Sequence, residues 1–418
     1  MKAATPSDPA CAAEEGSRFT LLNDRRFWLA FAFLVTFLGF PRGMLTGWIT
    51  RTGEVYSTTH PGGGDFVVFW VASRMLLEGH LSGLFDPGQF SRYIIDLYGS
   101  DFGVRWLYPP HFLFFLAPLG LFPYLVAYGL FMGGSLAAFL FVAARVWGDR
   151  SIALWLLIAP VTALGILIGQ TCFIVGALFV GAIYLWDERP ILAGILLGLL
   201  TVKPQFGVLI PLVLLLERRF LVIAVASTTA TALISASILA FGIEPWRAFL
   251  FGLQDPTGAI LLSERDAFLS VQMTVYGAAR YFGLDFAAAA GLQGMSALFA
   301  VCSLIYVTLS SAPRGAKAAM LVTATYLTLP YVLYYDLAAP TFVALWLYFG
   351  HGRSARPGVA VSALLVGLAS ISFINGAATT LWHVNVAPVP FLALAILLTW
   401  SVRRETSPGF GRCENTRP

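Results

Sequence analysis

The sequence predicts an all-α polytopic membrane protein, a bundle of about 12 transmembrane helices. Three observations carry that reading. Hydrophobic residues fill 58% of the 418 positions and charged residues only 11%, whereas soluble domains carry roughly a quarter charged residues. A chain this poor in charge cannot cover itself with polar surface, so lipid must be its solvent. Apolar runs recur to the end of the chain. Basic residues then mark alternate short loops between those runs.

The first run follows Arg25 and Arg26. The lead before it is long and polar, and no small-residue cleavage site follows, so an uncleaved first span is expected. The expected spans are 27–46, 123–146, 151–168, 171–187, 190–202, 204–217, 220–242, 286–310, 316–333, 337–350, 357–374 and 386–402. Several are shorter than the ~20 residues a straight crossing needs. Arg145 and Arg150, Arg189, Arg218 and Arg219, Arg314 and Lys317, Arg353 and Arg356, and Arg403 and Arg404 fall in loops on one side. By the positive-inside rule that side is cytoplasmic, together with both termini. One membrane domain, 27–402, is expected between an N-terminal tail, 1–26, and a C-terminal tail, 403–418.

Two long loops, about 47–122 and 243–285, then fall outside. Loops of that length are usually functional or disordered, and these are rich in aromatics and leucine. Phe66, Phe69, Trp70, Met75 and Leu76, with Arg74 and Glu78 among them, are spaced for an amphipathic helix in the interface plane. The segment PPHFLFFLAPLGL, 109–121, is too short to span and is bounded by prolines, so it is expected to dip into the membrane edge.

Composition also excludes. The formal net charge of +4 is spread over many loops, with no clustered basic face for nucleic acid. Cys11, Cys172, Cys302 and Cys413 are isolated, which suggests neither a disulfide framework nor a metal site. No phosphate-binding GxxxxGK[ST], no GxGxxG, no HExxH and no GxSxG occurs, which argues against nucleotide hydrolysis and ordinary hydrolase chemistry.

The remaining polar residues are the candidates. In HPGGGDFVVFW, 60–70, glycines let the backbone turn sharply before Asp65. That position admits two readings: an ordinary helix N-cap, or a carboxylate at the membrane boundary ready to take a proton from a hydroxyl. Asp86, in LFDPGQF, reads as a turn and helix start. In RWLYPPH, 105–111, Tyr108 and two prolines fix an extended lead into the next helix. Arg105 there either meets a phosphate or snorkels to headgroups. His111 is an acid/base group or a hydrogen-bonded interfacial histidine. Gln170 and Lys203 lie at the outer ends of spans. Lys203 is a single cation in a long apolar stretch, on the side where positive charge is disfavoured. It suits an anionic lipid phosphate. The second outer loop holds Asp255, Glu264, Arg265, Asp266, Gln272 and Arg280, and Arg280 or Arg265 is a further phosphate candidate. Asp336, in YYDLAAP, either bonds a sugar hydroxyl or caps the helix that starts at Leu337. His383 and Asn385 lie on the same side.

The order of these pieces resembles a family. GGDF comes first, then YPP with an apolar segment ending in LFP, then GQ, then GLLTVKPQFG and ERR, then SVQMTVYGAARYFG. This is similar to the bacterial integral membrane glycosyltransferases of family 87, in the GT-C superfamily, over roughly residues 25 to 400. The resemblance implies a GT-C-like bundle with interfacial helices in the first outer loop. It implies a polyprenyl-phosphate sugar donor, often the mannose conjugate, used on the extracytoplasmic face of the inner membrane. It also implies an acidic base in that loop, which here matches Asp65. Donor phosphate contacts then fall to Lys203, Arg105 and Arg280, and substrate contacts to Tyr108, His111, Gln170 and Asp336. The implied reaction is an inverting displacement without metal or other cofactor. A glycolipid, polysaccharide or protein of the cell envelope is the acceptor. A transporter or lipid flippase is the competing reading. It calls for ionisable groups near mid-membrane and inverted repeats, whereas here the candidates gather on one face and no repeat is visible.

Overall fold

A computed structural model describes residues 24–38, 64–99, 101, 103–252, 266–350 and 357–406. Gly62 and Gly63, Asp255, Glu264, Arg265, Arg353, Arg356, Cys11 and Cys413 lie outside them. The elements in order are α1 Arg25–Leu38, α2 Phe66–Leu77, α3 Pro87–Tyr98, α4 Tyr124–Trp147, α5 Ser151–Leu157, α6 Pro160–Ile168, α7 Cys172–Leu185, α8 Pro190–Leu199, α9 Ile210–Leu216, α10 Phe220–Phe241, α11 Glu244–Gly252, α12 Val275–Tyr281, α13 Phe286–Leu309, α14 Arg314–Thr328, α15 Ala338–Tyr348, α16 Val359–Ala369, α17 Ile371–Trp382 and α18 Val389–Thr406. Short helical turns connect several of them. Among the described residues the β-structure is one isolated antiparallel bridge, Gln272 to Leu333.

The chain is thus an all-helical membrane protein, but the expected count of twelve spans is not reproduced. Among the described residues three helices, α4, α10 and α13, are long and apolar enough to cross a membrane, or up to five if each bent pair is one span. Proline and glycine cut the other apolar runs. Pro160 forces Ala159 into extended backbone (ψ 140), because the ring excludes α geometry one residue earlier. The α5–α6 pair consequently bends by 58°. The α16–α17 pair bends by 80° at Ser370.

The two runs either side of Lys203 form one hairpin. Pro190 starts α8, and Pro204 interrupts the helix after Lys203. The chain then returns through α9. The two feet of the hairpin meet, since Arg219 pairs with Asp187, so Lys203 lies at the tip. Two glycines one turn apart hold α8 against α10. A Cβ on Gly194 would stand 2.6 Å from Val225 Cβ, and one on Gly198 would stand 2.4 Å from Thr229 Cβ. Small residues four apart permit the close backbone approach that lipid-solvated helices rely on for association.

The described part of the first long loop, from Gly64 onward, packs against the bundle. In α2 the residues Phe66, Val67, Val68, Phe69, Val71, Ala72, Ser73 and Met75 are all buried. The expected amphipathic interfacial helix is therefore a core helix, apolar on more than one face. The 109–121 segment folds as short helical turns from Pro110 to Leu121 that cover α2. Ser73 Oγ lies 2.8 Å from Leu116 O, and a Cβ on Gly120 would stand 2.9 Å from Ser73 backbone carbon.

Candidate active site

The site begins at a join between two turns. Helix α6 ends at Gly169 in the left-handed region (φ 70), as a helix C-terminus commonly does. Gly64 is also left-handed (φ 51), and a Cβ there would stand 3.0 Å from Ile168 O. Only glycine allows both the dihedral and the approach. The backbones then lock, because Asp65 N donates to Ile168 O at 2.8 Å. That bond delivers Asp65 from the first loop onto the Gly169–Gln170 turn.

Asp65 occupies the N-cap position of α2, yet its side chain makes no capping hydrogen bond and its backbone is helical (φ −69, ψ −9). The carboxylate instead takes a bond from Gln170 Nε2 at 2.9 Å. The N-cap reading of Asp65 is therefore set aside. Asp86 does cap, accepting from Gly88 N at 2.9 Å and Gln89 N at 3.0 Å. Those N–H bonds, with Gln89 contributing first, hold its carboxyl below the usual range.

Gln170 is the hub. Its Oε1 accepts from Tyr108 OH at 2.7 Å and from Thr171 N at 3.3 Å, which fixes the amide so that its N–H faces Asp65. Tyr108 is held edge-on by Phe69 at 5.1 Å and tilted on Phe112 at 5.2 Å. Phe69 belongs to α2, so one short helix starts at the carboxylate and also buttresses the tyrosine that orients its partner.

Lys203 lies beside this chain. It is 8% exposed, and its Nζ donates to Asp336 Oδ1 at 2.6 Å, with Asp336 5% exposed. The ammonium also sits 5.4 Å above the Tyr335 ring and 5.7 Å from the Phe206 ring. Asp336 is fixed from both ends: its N donates to Leu333 O at 2.9 Å, and Tyr326 OH donates to its carbonyl. Leu333 in turn bridges Gln272, and Met273 N donates to Val332 O at 2.9 Å. The Gln272–Met273 segment therefore braces the Tyr334–Tyr335–Asp336 segment. A Cβ on Gly176 would stand 2.9 Å from Ala338 Cβ, so α7 and α15 meet near their starts, which brings the Gln170 turn and the segment ending in Asp336 to the same end of the bundle.

The surroundings of the other candidates are as follows. Lys203 is not a lone cation; it is half of a buried ion pair. Asp336 does not cap α15, whose N-cap is Leu337; it serves Lys203. Arg105 is exposed, and its charge faces Asp101. It lines a surface hollow with Pro87 and Ser91, and none of its described contacts is with the Asp65 cluster. Arg280 Nη1 donates to Leu284 O at 3.0 Å and closes the end of its own helix. His111 is buried, with Nε2 3.2 Å from Thr201 Oγ1 and its ring stacked on Trp246 at 5.7 Å. Its Nδ1 has no hydrogen-bond partner among the described residues. The Asn385 and Asn375 amides donate to Leu269 O and Ser270 O and so hold the Leu269–Ser270 turn in place. Tyr335 and Tyr326 were missed. Tyr335 had a signal in the run of tyrosines YVLYYD, which is hard to tell from a lipid-facing aromatic run, and Tyr326 had none.

The sequence model of glycosyltransferase family 87 matches residues 106–332. That is more than half of the chain, and it takes in Tyr108, Gln170 and Lys203. The chain belongs to glycosyltransferase family 87. No curated protein and no solved structure matches it. As a family 87 enzyme it transfers a sugar from a donor to an acceptor, and it does so from a membrane. The described site holds a carboxylate, Asp65, bonded to Gln170, and a buried ion pair, Lys203 with Asp336.

Proposed function

We propose that the protein moves a sugar, mannose by family default, from a polyprenyl-phosphate donor to a cell-envelope acceptor. The transfer takes place on the extracytoplasmic face of the inner membrane. The acceptor is a glycolipid, a polysaccharide or a protein. The observation that carries this reading is the Asp65 carboxylate, which stands at a helix start, does no capping, and is aimed by Gln170 and Tyr108.

Asp65 takes the proton from the acceptor hydroxyl as that oxygen attacks the anomeric carbon. The bond from the anomeric carbon to the donor's phosphate oxygen breaks, the configuration inverts, and a polyprenyl phosphate leaves. Lys203 meets the charge that develops on that phosphate. One of its ammonium protons is engaged by Asp336, and an ammonium carries three donors. Asp336 thus keeps Lys203 charged and pointed without exhausting it. Tyr108 and Gln170 orient the base, and His111, bonded to Thr201, is kept as a substrate contact. Arg105 and Arg280 have no part in the proposed donor contact.

The charge pattern supports the orientation. Arg219 and Arg314 meet Asp187 at the ends of the helices opposite the site, which agrees with a cytoplasmic position for those loops and both termini. The unit is 27–402 between two tails.

Purified protein given a panel of radiolabelled polyprenyl-phosphate sugars and extracted envelope lipids tests the reading. Transfer from one donor, with an inverted anomeric linkage in the product, is the expected result. A retained linkage contradicts the single displacement. Use of soluble nucleotide sugars in place of every lipid-linked donor contradicts the donor class.

A further inference from the structure

A second cavity lies at the end of the bundle away from Asp65. It measures about 370 Å³ and is lined chiefly by Val180, Ile183, Ala318, Val322, Phe342 and Trp346, within the range of small-ligand sites. Helices α4, α7, α14 and α15 enclose it. Helix α7 starts at Cys172 beside Gln170 and reaches the cavity mouth at Tyr184, about 18 Å away at 1.5 Å per residue. The cavity is therefore separate from the candidate active site.

The sequence explains why space opens there. At Gly176 a Cβ would stand 2.9 Å from Ala338 Cβ and 3.0 Å from Phe139, so α7, α15 and α4 meet closely at that level. One to three turns on, the facing residues are Val180, Ile183, Phe342, Val343 and Trp346. Larger side chains hold the helices apart there, and the gap between them is not filled. These wall residues are nearly all buried, while Tyr184, Asp187 and Glu188 at the mouth are exposed. The cavity is an apolar slot with its exposed charged residues at the Asp187–Glu188 end.

The charges at the mouth are unequal. Arg314 is committed several times over. It pairs with Asp187, stands 3.7 Å from Glu217, donates to Ile183 O at 3.1 Å, and lies 4.7 Å over the Trp186 ring. Glu188 makes no ion pair among the described residues. Of the charged residues lining the slot, Asp187 and Arg314 offset one another and Glu188 is left over.

Apolar cavities stay dry, and this one opens from a chain solvated by lipid. We propose that the slot holds one acyl chain of an amine-bearing zwitterionic phospholipid, with the headgroup ammonium at Glu188. Apolar walls select the chain, and the spare carboxylate selects the amine over an anionic headgroup.

The test is native mass spectrometry of the full-length protein taken from vesicles of equal phosphatidylethanolamine and phosphatidylglycerol. Wild type is expected to retain one phosphatidylethanolamine in preference, by roughly two- to fivefold, the range an exposed ion pair supplies. Glu188→Gln is expected to retain both lipids equally. Ala318→Phe, whose ring fills the slot, is expected to retain neither. Bromine-labelled acyl chains give a second readout that does not depend on that variant folding. They quench Trp346, so the quenched fraction should be smaller in Trp346→Phe than in wild type. No retained lipid, a preference for phosphatidylglycerol, an unchanged preference in Glu188→Gln, or equal quenching with and without Trp346 overturns the proposal.

Discussion

Replacing Lys203 by Met leaves Asp336 buried without its cation. At 2.6 Å and an effective dielectric of ~20, the attraction between the two charges is about 6 kcal/mol. Desolvation of both ions opposes it by several kcal/mol each. Removing one partner forfeits the attraction and keeps the other ion's penalty, and such losses run to about 3–5 kcal/mol. Unfolding entropy of about 2.1 cal/mol/K per residue, taken over 418 residues, gives roughly 0.9 kcal/mol per degree. Lys203→Met is therefore expected to lower the unfolding midpoint by roughly 3–6 °C. Asp336→Asn in the Lys203→Met background should recover most of that loss, since an amide costs far less to bury than an unpaired carboxylate. The assay is thermal unfolding in detergent micelles at one scan rate, with sugar transfer measured beside it. The double variant should be stable and inactive, which separates the structural role of the pair from the phosphate contact. A single variant as stable as wild type refutes the pairing argument. A stable double variant with full transfer refutes Lys203 as the phosphate ligand.

Other outcomes follow from the same geometry. Gln170→Leu removes the bond that aims Asp65, a charge-assisted bond of about 1.5–3 kcal/mol, so kcat should fall by about 10- to 100-fold with KM for the donor little changed; an unchanged kcat contradicts the hub. Gly64→Ala places a methyl 3.0 Å from Ile168 O at φ 51. It should cost about 1–2 kcal/mol from the left-handed backbone alone and depress transfer further by shifting Asp65, which kinetics on the folded fraction will show. Gly198→Leu drives a side chain into Thr229, 2.4 Å from the Cβ position, and should abolish monodisperse protein in size-exclusion chromatography. Arg105→Ala should leave transfer within about twofold of wild type, as surface changes away from special features usually do.

Much of the site was legible because polar residues are scarce in this chain. Asp65, Gln170, Lys203 and Asp336 each interrupt apolar sequence, and burying such a group demands a reason. What the sequence concealed was pairing. Lys203 and Asp336 are 133 positions apart, and no local pattern says that one neutralises the other. Asp65 illustrates the same limit, since a cap and a base occupy the same place before an apolar helix. Only the unused cap geometry and the bond from Gln170 separate them. Where each span breaks was hidden for a different reason. Hydropathy registers apolar content, while Pro160, Pro190, Pro204 and Gly169 set where each helix stops. The first-loop helix erred because its polar residues, Arg74 and Glu78, pair with one another, so the rest of its surface was free to be buried.

The most direct test of the central claim is transfer by Asp65→Asn measured beside Asp86→Asn, both checked for folding. The substitution at Asp65 keeps the shape and removes the base, which general-base catalysis values at roughly 10²- to 10⁴-fold. The account predicts a loss of that order at Asp65 and near wild-type transfer at Asp86, which only caps a helix. Full transfer by Asp65→Asn, or a larger loss at Asp86 than at Asp65, contradicts it.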